Sequence, residues 1–158
     1  LSSTPLEHNF AKQLAIHSAG RSALFLSDSK FSPVAYKWKI SWNENAKNVS
    51  LWNEYPEFNH NEFIGWSSAP TEKLFAIFKL RSNFEQPRVS KRFEISDKLL
   101  DGKRPAARNI ELKGATVLEQ MLWGSILADF VSIYLAILNN ENPTPVALIE
   151  KLKVELVK

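Results

Sequence analysis

The sequence predicts an α/β fold: a three-layer α/β/α sandwich with a mostly parallel sheet. Short apolar runs of strand length alternate with longer stretches of helical spacing, which is how layered α/β domains read. The chain has 158 residues, 44% hydrophobic and 23% charged, enough for one domain with its own core. Residues 1–158 are therefore read as a single domain. There is no cysteine, so disulfides, thiolate catalysis and cysteine-held metal are excluded together.

The elements follow in order. Leu6 to Ala19 places Phe10, Leu14 and Ile16 near helical spacing, and Gly20 stops the helix. Ser22 to Ser27 is an apolar run between Gly20 and the Asp28-Ser29 turn, and reads as a buried strand. Ser32 and Pro33 supply an N-cap and a first-turn proline for a helix running through Trp38 and Trp42 towards Lys47. Val49–Trp52 is a second strand and Lys73–Leu80 a stronger third. Gln86–Leu100 reads as a helix ended by Asp101-Gly102, and Ala107–Leu112 as a fourth strand. Thr116–Asn139 is a long helix, apolar nearly all round in its second half and hence central. After Pro143-Thr144-Pro145, Val146–Val157 is an amphipathic closing helix, with Thr144 placed to cap it. Ligands of such sheets bind beyond the carboxyl ends of the strands, so the loops after Leu26, Trp52, Leu80 and Leu112 are the places to search.

Net charge is +3 and the pI is near 9.1. The basic residues concentrate between Lys79 and Arg108, interspersed with Glu85, Glu94, Asp97 and Asp101. A solvated helix and loop explains them, no nucleic-acid motif accompanies them, and attraction of an anionic substrate is a further use. Leu1 to Phe10 lacks a basic region followed by an apolar run, so no signal peptide is read and a cytoplasmic location is expected. The longest apolar stretch, Gly124–Leu138, carries Asp129 and is shorter than a bilayer span, so a buried helix is expected rather than a membrane segment.

The richest stretch chemically is Trp42 to Trp66. It holds Glu44, Glu54, Glu57, Glu62, Lys47 and His60 among six asparagines and three tryptophans. Dense polar groups between aromatics suit a ligand cleft, where a carboxylate can serve as general base and an imidazole as its partner. A polar loop with surface carboxylates is the alternative. A metal site at His60 and Glu62 is the rival chemistry, without an HExxH motif to support it. No glycine-rich phosphate loop and no GxSxG elbow is present.

Three blocks carry a resemblance: VAYKWKISWNENAK (34–47), PEFNHNEFIGW (56–66) and ADFVSIYLAILNNENPTPVALIEKLK (128–153). In this order and spacing they resemble the bifunctional phosphoglucose/phosphomannose isomerases of the sugar isomerase (SIS) superfamily. The match is to the C-terminal SIS domain, which is flavodoxin-like. The resemblance implies that Glu44 is the base moving a proton between C2 and C1, and that His60 opens the sugar ring in the site of another subunit, so a homodimer is implied. It further implies that Thr144 accommodates the mannose epimer and that Lys151 lines the site near the ring oxygen. Implied substrates are glucose 6-phosphate, mannose 6-phosphate and fructose 6-phosphate, in glycolysis and gluconeogenesis, with no metal or organic cofactor. Family members are about twice this length. Their N-terminal SIS subdomain supplies the Ser/Thr loops for phosphate and an arginine near the enediolate. This chain has no such loop: Ser27, Asp28 and Ser29 follow a strand, but Asp28 would repel a phosphate. It also opens at Leu1 without methionine, as a fragment would. One half-site is therefore expected here. The rivals are a non-catalytic sugar-phosphate sensor and a purely structural dimerisation domain.

Overall fold

The structure, a computed structural model, describes residues 3–67 and 74–157. Its strands are β1 (Ser22–Asp28), β2 (Ser50–Tyr55), β3 (Phe75–Arg81) and β4 (Arg108–Glu111). They form one parallel sheet in the order β2-β1-β3-β4. Every predicted strand is present, with ends moved by up to three residues. Lys73, where the third was expected to start, lies outside the described residues. The order is that of a doubly wound sheet with its switch point at β1, between β2 and β3.

The helices are α1 (Phe10–Ser18), α2 (Ser32–Ala46), α3 (Glu62–Gly65), α4 (Pro87–Leu99), α5 (Val117–Leu138) and α6 (Ala147–Leu156). Side chains alternate across the sheet. Ala23, Phe25, Ala76, Phe78, Leu80 and Ile110 face a core shared with α1, α2 and α5. Leu24, Leu26, Ile77 and Tyr55 face a second core with Phe58, Val89 and Phe93. This period of two is why both faces of the central strands are apolar, and why layers lie on both sides. The three-layer expectation is met.

Several boundaries differ. Leu6–His8 is a separate 3-10 turn, and α1 starts only after Asn9, whose side chain accepts from the Lys12 N–H. Ser32 is the first residue of α2 rather than its cap, because Ser29–Phe31 winds a 3-10 turn directly into the helix. Thr144 does not cap α6 either. Val146 occupies that position without a side-chain bond, and Pro143 and Pro145 keep the preceding chain out of the helix. α6 buries no residue, so the expected apolar face lies uncovered: Leu148 is 81% exposed.

At 22 residues, with a mean hydropathy of 1.9 over an 18-residue window, α5 has the length and composition of a membrane span, longer than the apolar stretch alone indicated. Its inner face nevertheless lies in the sheet core through Ala128, Val131 and Leu135. Its outer face leaves Leu118, Leu122, Ile126 and Ile137 more than half exposed. Thr116 and Glu119 close a reciprocal capping box at its start.

α2 and α5 run parallel at close range. A Cβ on Gly124 would meet Val34 Cγ1 and Leu112 Cδ2, each at 2.8 Å, so only glycine fits there without repacking. Among the described residues, three side-chain to side-chain hydrogen bonds cross this seam. Lys37 Nζ and Ser41 Oγ donate to Asp129 at 2.6 and 2.9 Å, and Asn45 Nδ2 donates to Ser132 Oγ at 2.8 Å.

Candidate functional site

A helix that returns from the carboxyl end of β1 must finish at the amino end of the sheet. The last turn of α2 therefore lies beside the start of β2, and Asn43 Oδ1 accepts from both the N–H and hydroxyl of Ser50 there. The final carbonyls of a helix need outside donors. Asn139 Nδ2 reaches Ala46 O at 3.2 Å. Lys47, left-handed at φ 52°, closes the helix and sends its ammonium to Glu44 O and Pro143 O. The segment after α5 is thereby tied to the C-terminal turn of α2.

A cavity of about 640 Å³ opens between these two pieces, lined by Asn43, Glu44, Lys47, Glu141, Pro145 and Leu148 among others. Asn43, Asn45 and Lys47 all spend their side chains on structure. Glu44 is exposed, and its carboxylate has no hydrogen-bond partner among the described residues. A free carboxylate on the rim of a ligand-sized cavity is available to accept a proton from carbon or oxygen.

The remaining predicted residues fall in different places. Thr144 is exposed and lies between lining residues Asn142 and Pro145 without itself lining the cavity; its N–H donates to Asn142 Oδ1 at 3.0 Å. Lys151 is exposed on α6, three residues beyond Leu148 and so about one turn further along the same flank. Thr144 precedes α6, so it and Lys151 do not lie along one helix face. His60 closes the 3-10 turn Glu57–Asn59 beyond the carboxyl end of β2, and its side chain is exposed. All six residues of β2 separate it from the α2 end, roughly 17 Å at strand rise. Within one chain, Glu44 and His60 cannot share a site.

The three tryptophans do not wall one cleft. Trp42 is buried in the core under α2, Trp66 in the core under α4, and Trp52 packs against Tyr36 with ring centroids 5.4 Å apart. Glu62 is engaged by Asn53 Nδ2 at 2.8 Å. Among the described residues, no group of three histidine or carboxylate side chains could hold a metal.

The basic stretch resolves into separate roles. Arg81 is bidentate with Glu85. Lys79, buried in mid-sheet, and Arg104 both donate to Asp97. Tyr55 is fully buried beside them. Burial pushes its phenol up to about 12, with Ser96 and Arg104 opposing part of the rise.

Sequence reasoning missed the Lys47 strap and the part played by Asn139 to Asn142. The signal was the Asn139-Asn140 pair, since asparagine tolerates the left-handed turn that Asn140 adopts at φ 57°.

Comparison with known proteins gives a consistent result. The family model described as the bacterial phospho-glucose isomerase C-terminal SIS domain matches residues 7–156. The chain is 33% identical over 156 residues to the bifunctional phosphoglucose/phosphomannose isomerase of Caldicellulosiruptor bescii, covering 98% of this chain and 46% of the relative. It is 31% identical over 147 residues to the enzyme of the same name from Aquifex aeolicus, covering 93% and 46%. A glucose-6-phosphate isomerase like protein from Thermus thermophilus superposes with a TM-score of 0.73 at 24% identity, over 94% of this chain and 48% of that one. The chain thus spans about half the length of the curated relatives it matches.

Proposed function

The chain belongs to the bacterial phospho-glucose isomerase C-terminal SIS domain family, and from that premise we propose that it forms the proton-transfer half of a sugar-phosphate aldose–ketose isomerase. Glu44 is the base. It takes the proton from C2 of the open-chain glucose or mannose 6-phosphate and returns it to C1. Meanwhile O1 gains a proton and O2 loses one, so the carbonyl moves from C1 to C2 through a cis-enediol. A positioned carboxylate contributes about 10²–10⁴-fold to such a step. The observation that carries this reading is the uncommitted Glu44 carboxylate on the cavity it shares with the 141–149 segment.

Thr144 and Lys151 flank this cavity on its α6 side without lining it; with substrate bound, Thr144 serves the distinction of the C2 epimers and Lys151 the ring oxygen. His60 belongs to a different copy's site. The length of β2 between it and Glu44 supports a homodimer in which each cavity receives the imidazole of the other chain. A further SIS subdomain, outside the matched half of the relatives, would supply the phosphate clamp.

The test is conversion of fructose 6-phosphate to glucose 6-phosphate, read by a coupled dehydrogenase. The chain alone is expected to stay at background. Joined to the amino-terminal half of the Caldicellulosiruptor bescii relative, it is expected to turn over, and Glu44→Gln is expected to remove at least ~10²-fold of that rate. An active fusion that keeps its rate after Glu44→Gln overturns the assignment.

A further inference from the structure

Once Lys79, Arg81 and Arg104 of the basic stretch are assigned to their ion pairs, six of its cations remain, and three of these lie together on α4. Arg88, Lys91 and Arg92 converge on a separate cavity of about 370 Å³ between α4 and the 59–63 turns. Phe63, Ile95 and Leu99 form its apolar part, and no carboxylate lines it. The nearby acids are committed elsewhere: Glu85 to Arg81 and the Ser82 N–H, Asp97 to Lys79 and Arg104, Glu57 to Asn61, and Glu62 to Asn53. Glu94 acts on Arg81 and stands three residues beyond Lys91 on α4, but it does not line the cavity.

This placement concentrates positive charge without an acidic neighbour lining the cavity. Arg88 sits in the first turn of α4, where the free N–H groups and the helix dipole already present positive charge. Gln86 provides no side-chain cap, and the first turn holds no acidic residue. Lys91 and Arg92 follow at three and four residues, the spacing at which like charges on a helix repel. Arg92 makes a 3.3 Å bond to Asn59 Oδ1, and Asn59 Nδ2 bonds Ser96 Oγ at 2.8 Å, so the cavity's polar wall is held in place. Arg88 and Lys91 have no hydrogen-bond or ion-pair partner among the described residues.

We propose that this cavity binds a small organic phosphate monoester carrying an apolar group, with Arg88, Lys91 and Arg92 taking the phosphate and Phe63, Ile95 and Leu99 the apolar body. Guanidinium groups suit phosphate oxygens by geometry as well as charge. The volume lies in the range of small-molecule sites. Glu44 lines a different cavity, at the amino end of β2, whereas this one adjoins the turn beyond its carboxyl end.

The test is an amide NMR titration of the whole chain with phenyl phosphate and with inorganic phosphate. Phenyl phosphate should shift Asn59, Phe63 and residues 88–99 saturably, and inorganic phosphate the same region with weaker affinity. Arg88→Gln/Lys91→Gln removes two exposed side chains and leaves the Arg92–Asn59 contact, so its dispersed spectrum certifies the fold. Its affinity for phenyl phosphate should drop about tenfold or more. Unchanged affinity in that variant, no saturable shift, or shifts centred on Glu44 and Glu141 would each overturn the proposal.

Discussion

Replacing Gly124 with alanine sets two opposing effects against each other. Alanine in a helix interior is favoured over glycine by about 1 kcal/mol. The new methyl, however, would lie 2.8 Å from both Val34 Cγ1 and Leu112 Cδ2. Neither neighbour can retreat easily. Val34 is β-branched on a helix, which leaves it one preferred χ1, and both residues are buried. Inserting a methyl into such a gap costs about 1–3 kcal/mol, and two simultaneous contacts place it near the upper end. The net expectation is a loss of about 1–2 kcal/mol, or roughly 3–8 °C in Tm for a chain of this size. Urea and thermal unfolding followed by circular dichroism measure it. Ser125→Ala is the control: that hydroxyl bonds only Met121 O within its own helix, and its loss should be neutral or slightly stabilising. If Gly124→Ala were as stable as the parent or more so, the tight α2–α5 contact would not be the reason for glycine at this position.

Two further outcomes follow from the sites. Tyr55 ionises near 12 when folded but near 10 when unfolded, so between those values the native state holds the extra proton and stability falls as pH rises. Urea unfolding from pH 8 to 11.5 should show that slope and Tyr55→Phe should flatten it, at little cost near neutrality because the hydroxyl makes no well-formed hydrogen bond. Lys47→Met should release the 141–146 segment, accelerating its amide exchange about fivefold for a loss of roughly 1 kcal/mol of local stability; exchange that stays unchanged there refutes the strap.

The layering was legible because it depends on period. Apolar runs such as Ser22–Ser27 and the KLFAIFKL segment report burial on both faces whatever their neighbours are. The strand order was not, since it depends on which edges meet in space. The same limit explains the candidate site. Glu44 and His60 are 16 positions apart and look like one cluster, but an extended strand between them carries them to opposite ends of the sheet. Thr144 resembled a cap because the pattern of a hydroxyl followed by proline is local. The second proline and Val146 displaced the helix start. Asp97 could not be read as the shared acceptor for Lys79 and Arg104, because nothing in spacing reveals that a mid-strand lysine is buried beneath a helix.

The polar pegs between α2 and α5 bear on how the cavity keeps its shape. Two parallel helices joined only by aliphatic side chains have near-equivalent packings one turn apart, and a slip of about 5.4 Å is a known way for helices to switch. Asp129 receives both Lys37 and Ser41, and Ser132 receives Asn45. Slipping by a turn would break all three contacts at once, so a single axial alignment is selected. The height of the Glu44 turn relative to the end of α5 is thereby set by residues that touch no ligand.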